Sequence, residues 1–171
     1  MELTSQPWQS WTKEQFTTQF SGLYEHSPWV AEGAWTKAPF SSLQDVLAKM
    51  KAVVDEAGTE KQLELLRQHP DLGARIQMTE HSQSEQAGAG LDNLTAEQYE
   101  KLSRLNREYT ATYQFPFILA VKGKHAAQIL AIMEQRNGQP WEQEFATALA
   151  QVHTIVGLRM HDWAERAGLN V

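Results

Sequence analysis

Residues 41–58, SSLQDVLAKMKAVVDEAG, contain the clearest folding signal in this chain. Either Ser41 or Ser42 can cap a first helical turn, and Gly58 is a typical residue to follow a last one. Between them, apolar side chains recur at steps of three and four residues, at Leu43, Val46, Leu47, Met50, Val53 and Val54. This spacing predicts an amphipathic α-helix whose apolar face packs against other helices.

Helical signals continue on both sides of this stretch. Upstream, Thr12 and Gln15 form a capping box, and Pro28 suits a first helical position. Downstream, Thr59 and Thr95 are typical starts, and Pro116 marks an end. The boundaries predict further helices near 12–24, 28–39, 59–69, 79–90, 95–116, 124–137 and from 140 onward. We therefore expect an all-α fold, a single-domain helical bundle of about seven to nine helices over residues 1–171.

Composition restricts the possible functions. The 171 residues carry 15 Lys and Arg against 21 Asp and Glu, and the net charge of −6 argues against a nucleic-acid surface. Without cysteine there is no disulfide, thiol nucleophile or cysteine metal site. The N-terminus resembles no signal peptide, and no apolar run approaches membrane-spanning length. We expect a cytoplasmic protein that binds neither nucleic acid nor membrane.

The residues best suited to chemistry lie in 69–91, HPDLGARIQMTEHSQSEQAGAGL. Pro70 biases His69 away from helical geometry, so the imidazole should stand where a helix ends. Ser82, Glu85 and Gln86 are spaced to share one helical face, which would present a hydroxyl, a carboxylate and an amide together. This set could perform acid–base chemistry. The alternative is structural, since histidines cap helix ends and Ser-x-x-Glu is a common capping pattern.

The run 115–121, FPFILAV, resembles a strand but has no evident pairing partner. We interpret it as buried extended backbone or as the start of a helix. Irregular buried backbone leaves N–H and C=O groups that need partners, and a small polar ligand could supply them. A plain linker through the core explains the sequence equally well.

Arg159 interrupts the apolar stripe of the last predicted helix. Continuing by three residues from Val156 places a guanidinium where the core should be. A buried cation needs an anion, which could be a protein carboxylate such as Glu85 or a carboxylate of the substrate. Asp71, two residues after His69, could suggest a metal pair, but no second ligand cluster accompanies it, so we expect no metal site.

Taken together, these motifs resemble one family, the 2-oxo-4-hydroxy-4-carboxy-5-ureidoimidazoline (OHCU) decarboxylases of urate breakdown. The likeness extends from Ser27 to Asp162. Two departures are visible: Gln114 stands where a glycine often precedes Phe-Pro-Phe, and Asn137 stands where leucine often follows Arg136. The matching segments are His69 to Gly73, Ser82 to Gln86, Ala89 to Asp92, Leu105-Asn106, Phe115 to Phe117 and Leu158-Arg159.

The resemblance implies an all-helical enzyme without metal or organic cofactor, usually a homodimer, that converts OHCU to S-allantoin. It also implies that His69 is the catalytic acid–base residue and that Arg159 completes the pocket. We add Glu85 as a second catalytic residue. The implied substrate-binding residues are Pro70, Ser82, Gln83, Ser84, Glu85, Gln86, Phe117, Ile118, Leu119, Ala120, Val121 and Arg159.

The chemistry of OHCU is consistent with so few residues. Its carboxylate lies on a carbon next to a ring C=N, so the substrate contains its own electron sink. The protein then needs to hold the substrate and move protons, and a histidine with a reference pKa near ~6.5 can do so at neutral pH. Two other functions stay open: a helical partner-binding module, and a hydrolase of a related ureide.

Overall fold

The computed structural model describes residues 6–74 and 79–169. Over these ranges the chain forms eight α-helices and one short 3-10 helix, and it has no β-strand. The predicted all-α fold is confirmed. None of the described helices is long and apolar enough to cross a membrane. The α-helices are α1 Lys13–Phe20, α2 Trp29–Trp35, α3 Leu43–Glu56, α4 Thr59–Arg67, α5 Glu80–Gly88, α6 Ala96–Tyr113, α7 Ala126–Arg136 and α8 Trp141–Arg166.

The described residues form two compact units. The first contains 6–68 and 156–169, and the second contains 69–74 and 79–155. Helix α8 contributes to both, since the division falls between Ile155 and Val156. The single domain over residues 1–171 stays a prediction.

Helix α3 forms as its sequence predicts and lies in the core of the first unit. Its side chains Val46, Met50 and Val54 are fully buried. Of the two candidate capping serines it is Ser42 that acts, because its hydroxyl accepts the backbone N–H of Asp45. The apolar spacing therefore identified both the helix and the face that it buries.

In the second unit, α6 begins with the expected capping box, in which Thr95 and Gln98 satisfy each other's backbone N–H groups. The helix ends at Gln114, whose φ of +66° lies in the left-handed region. That conformation favours glycine, which is the residue that often stands here in the resembling family. The backbone at Gln114 therefore has the bend that a glycine would allow, although glutamine carries a side chain.

The strand-like run belongs to no helix and no strand. Residues 115–121 are all buried, from the fully buried Phe117 to Ala120 at 8% exposure. Of the two interpretations offered above, buried irregular backbone is the one that the structure adopts. Its polar groups must therefore be satisfied by side chains or by a ligand.

Candidate active site

His69 stands directly after a helix, as predicted. Helix α4 is anchored by the fully buried Leu65 and Leu66, and Gln68 closes it by donating its N–H to the carbonyl of Glu64. His69 follows with only 9% of its surface exposed. The residue is therefore largely buried, and a small part of its surface remains accessible.

Side chains of two other helices hold the turn that follows His69. Asn106 of α6 donates from Nδ2 to the carbonyl of Leu72 at 2.9 Å. Gln86 of α5 accepts the N–H of Gly73 on Oε1 at 2.8 Å. Both acceptor and donor on this turn are therefore fixed by side chains more than ten residues away in sequence. Asn106 was not predicted as a site residue, although its side chain is buried and bonded to the turn.

Any other residue at position 73 would be strained. Its φ is +71°, and a Cβ atom built on it would lie 2.5 Å from Cδ2 of Leu102. The glycine allows the turn to approach α6 closely enough for the Asn106 contact. Next to it, burial raises the pKa of the Asp71 carboxyl. The desolvated carboxylate lies two residues from His69 in a partly buried turn.

Helix α5 presents the face that the sequence predicted. Thr79 caps the helix by accepting the N–H of Ser82. Ser82 and Gln86 are buried at 5% and 6% exposure, and Glu85 is half-buried. The two other predicted lining residues, Gln83 and Ser84, are exposed. The spacing of three and four residues therefore separated the inward from the outward side chains of this helix.

A cavity of the second unit shares Gln86 with this face, but its lining includes neither Ser82 nor Glu85, and it does not include His69. Its volume is about 410 Å³, and its lining includes polar groups from α5 and α6. The exposed Gln83 and the buried Gln86 both border this space. The lining residues are Gly73, Ala74, Gln83, Gln86, Ala87, Leu91, Asp92, Leu94 and Tyr99.

The buried backbone of 117–121 is held by side chains from α7, from α8 and from Lys124, which precedes α7. Arg136 donates from a guanidinium nitrogen to the carbonyl of Ile118 at 2.7 Å. The N–H of Ala120 donates to Oε1 of Gln151 at 2.8 Å, and Lys124 Nζ donates to the Ala120 carbonyl. The protein thus satisfies part of this backbone itself.

Arg136 belongs to a buried charge network that sequence reasoning missed. Its Nε and terminal nitrogen lie 2.8–3.2 Å from the carboxylate of Glu144, and Tyr109 donates its hydroxyl to the same carboxylate. Burial, and then the hydrogen bond to Glu144, raise the pKa of Tyr109 well above its usual range. Glu144 precedes the buried Ala148 and Val152 by four and eight residues. Glu144 therefore lies on the same apolar face of the last helix as Arg159, and this spacing is a sequence signal that could have identified it.

Arg159 is buried at 3% exposure, as its place on the stripe predicted. Its guanidinium lies 3.1 Å from a carboxylate oxygen of the fully buried Glu25 and donates to the carbonyl of Leu23 at 3.0 Å. A protein carboxylate is therefore one of its partners, and that carboxylate is Glu25, which the sequence analysis did not identify. Arg159 and Glu25 belong to the first unit, whereas His69 and the other predicted site residues belong to the second.

The described residues contain no group of three or more histidine, aspartate or glutamate side chains placed to hold a metal ion. The predicted site residues of the second unit carry an imidazole at His69, a hydroxyl at Ser82, a carboxylate at Glu85 and amides at Gln83 and Gln86. Such groups bind and transfer protons or form hydrogen bonds.

Comparison with known proteins gives a consistent result. The family model described as OHCU decarboxylase matches residues 9–161. A Haloferax volcanii protein named 2-oxo-4-hydroxy-4-carboxy-5-ureidoimidazoline decarboxylase is 48% identical over 93% of this chain and 95% of its own. A uric acid degradation bifunctional protein from Bacillus subtilis is 39% identical over 87% of this chain, which spans 30% of that protein. The crystal structure of an (S)-allantoin synthase matches with a TM-score of 0.75 and 32% identity, covering 91% of this chain and 52% of that one.

Proposed function

The chain belongs to the OHCU decarboxylase family, and we propose that it converts OHCU to S-allantoin with His69 as the acid–base residue. The protein is a decarboxylase of urate degradation, a carboxy-lyase by reaction class. The observation that carries the role of His69 is its position: a nearly buried imidazole follows α4 on a turn fixed by Asn106 and Gln86.

The reaction begins with cleavage of the bond between the ring carbon and its carboxylate. The electron pair of that bond forms a carbon–carbon double bond in the ring, the former C=N nitrogen takes up a proton, and CO2 leaves. The hydroxyl on the reacting carbon then loses its proton and becomes a carbonyl. The neighbouring carbon, which bears the ureido group, takes up a proton from one face. Both electron sink and leaving group belong to the substrate, so the protein contributes positioning and proton transfer.

His69 is suited to the proton transfers. Neutral imidazole accepts the hydroxyl proton, and imidazolium returns a proton to the ring carbon. Because the turn after His69 is hydrogen-bonded to two helices, the imidazole is held on one side of the substrate. Protonation from a single side yields a single enantiomer of allantoin.

The remaining groups hold the substrate in this proposal. Glu85 acts with His69 and accepts hydrogen bonds from the ring hydroxyl or ureido N–H groups, and Ser82 with Gln86 completes that face. Pro70 limits the movement of the imidazole, and Gln83 and Ser84 border the entrance. The backbone of 117–121 binds ring or ureido groups. Arg159 stabilises negative charge that develops on the substrate.

The decisive experiment follows the handedness of the product. OHCU is generated in the cuvette from urate with urate oxidase and hydroxyisourate hydrolase, and circular dichroism is recorded with and without the protein. We expect optically active allantoin, and we expect His69→Ala to lower kcat/KM by at least about 100-fold. The matched control is His161→Ala, since His161 is exposed on α8 and outside the proposed site. Wild-type activity of His69→Ala with unchanged product handedness would refute the assignment.

Arg159 needs a separate test because it also pairs with Glu25. Arg159→Lys keeps a cation opposite the carboxylate but loses the planar fork that binds two oxygens at once. We expect kcat/KM to fall in the folded Arg159→Lys variant. If Arg159→Lys and Arg159→Leu both lose stability and neither changes the kinetics of the folded fraction, Arg159 is structural only.

We also propose that residues 1–171 act as one domain, that the enzyme is a homodimer and that it is cytoplasmic. The resemblance to the family supports the dimer, and the absence of cysteine suits a reducing compartment. Light scattering on the purified protein tests the dimer: a mass near twice 19.4 kDa is expected, and a mass of one chain contradicts it.

A further inference from the structure

We propose that Gln151 and Arg136 are positioning residues that direct the backbone of Leu119 toward the substrate. The inference rests on the proposed function, because it concerns the substrate-binding role of residues 117–121. Neither side chain contacts the substrate in this proposal. Both act through the backbone that they hold.

The two side chains bracket Leu119 along the chain. Arg136, the last residue of α7, binds the carbonyl of Ile118 at 2.7 Å. Gln151, within α8, accepts the N–H of Ala120 at 2.8 Å. The Ile118 carbonyl shares a planar trans peptide unit with the N–H of Leu119, and the Ala120 N–H shares one with the carbonyl of Leu119. In such a unit the C=O and the N–H point in opposite directions, so Arg136 and Gln151 each direct one polar group of Leu119 away from themselves.

The backbone N–H and C=O of Leu119 are available to bind a ligand. Among the described residues, the hydrogen bonds made by this segment fall on Ile118, Ala120 and Val121, and none falls on Leu119. Leu119 is only 7% exposed. A buried N–H and C=O pair is satisfied best by a ligand that offers an acceptor and a donor. A cyclic ureide carries both, as adjacent C=O and N–H groups.

The anchors are rigid enough to set a position. Besides Ile118, the guanidinium of Arg136 binds Glu144 through two of its nitrogens, and its central carbon lies 4.3 Å from the ring centre of Phe117. Tyr109 holds the same carboxylate. Because these contacts hold the guanidinium of Arg136 in place, the Ile118 carbonyl that it binds can move little. A displacement of about 1 Å in a binding group can cost on the order of 100-fold in rate.

Gln151 provides the cleaner test, because it lies outside the Arg136–Glu144 ion pair. Gln151→Leu removes the acceptor for the Ala120 N–H, whereas Gln151→Glu keeps an oxygen at the same distance from the main chain. Gln143→Leu makes the same change at an exposed position on the same helix. Each variant is assayed by circular dichroism with freshly generated OHCU for KM and kcat, and its melting temperature is measured.

We expect Gln151→Leu to lower kcat/KM about 10- to 100-fold, mainly through a higher KM, while the protein stays folded at the assay temperature. Gln151→Glu should remain within about threefold of wild type, as should Gln143→Leu. If Gln151→Leu does not fold, Gln151→Asn replaces it, since its amide is one methylene too short to reach Ala120. A purely structural role predicts loss of activity in proportion to loss of folded protein, with KM unchanged.

The proposed function and the role of Gln151 are contradicted by different results. If wild-type protein does not accelerate the formation of optically active allantoin, the proposed function is wrong and the inference is wrong with it. If wild type is active and the folded Gln151→Leu or Gln151→Asn variant has wild-type KM and kcat, only the inference is wrong.

Discussion

Replacing Arg136 with methionine should destabilise the protein by about 3–4 kcal/mol. Glu144 is 1% exposed and Arg136 12% exposed, so the substitution leaves a buried carboxylate without its cation. Removing one partner of a buried ion pair costs about 3–5 kcal/mol, and losing the donor to the Ile118 carbonyl adds about 1 kcal/mol. These two losses together come to about 4–6 kcal/mol, and the hydrogen bond from Tyr109, which remains, offsets about 1–2 kcal/mol of that, which leaves about 3–4 kcal/mol.

Urea unfolding followed by circular dichroism measures this loss as a lower midpoint with an unchanged slope. For a chain of this size the same loss should lower the melting temperature by roughly 10 °C. Arg104→Met is the matched control, because Arg104 pairs with Glu108 at 3.1 Å but both side chains are about half exposed. An exposed pair of this kind should contribute no more than about 0.5 kcal/mol.

A double variant separates the loss of the pair from the burial of a lone charge. Arg136→Met with Glu144→Gln removes both charges and leaves a neutral amide beside Tyr109. It should be more stable than Arg136→Met alone by about 1–2 kcal/mol. The reasoning is refuted if Arg136→Met costs no more than Arg104→Met, or if the second substitution lowers stability further.

Three further substitutions test local features. In urea unfolding, Gly73→Ala should lower the free energy of unfolding by more than Gly90→Ala does. Both glycines have positive φ, but only at Gly73 would a Cβ lie 2.5 Å from Leu102. Equal losses would contradict this close approach. Asp71→Asn should raise the melting temperature at pH 7, because burial raises the pKa of Asp71 and its negative charge therefore opposes folding above that pKa. The gain should shrink as the pH falls through the pKa of Asp71. A gain independent of pH would argue against this cause. Gln114→Gly should stabilise by about 0.5–1 kcal/mol, because φ is +66° there, and a loss of stability would mean that the Gln114 side chain matters more than its backbone strain.

In helix α5 the local sequence predicts the buried face but not the partners of its side chains. The spacing of Ser82, Glu85 and Gln86 predicted which side chains turn inward, and the structure has Ser82 and Gln86 buried and Glu85 half-buried. The same spacing did not reveal that the Gln86 oxygen is used by Gly73. A helical period encodes the face that a residue occupies, because it depends only on local geometry.

The sequence by itself determined the all-α class, the helix boundaries at caps such as Thr95, and the burial of Arg159. Each of these follows from the helical period or from a hydrogen bond within a few residues. The partners of the buried polar groups were decided only by the tertiary structure. Asn106 meets Leu72 across 34 residues, Gln151 meets Ala120 across 31, and Arg159 meets Glu25 across 134. A buried polar group requires a partner, but which group is in reach depends on how distant helices pack, and no local pattern contains that information.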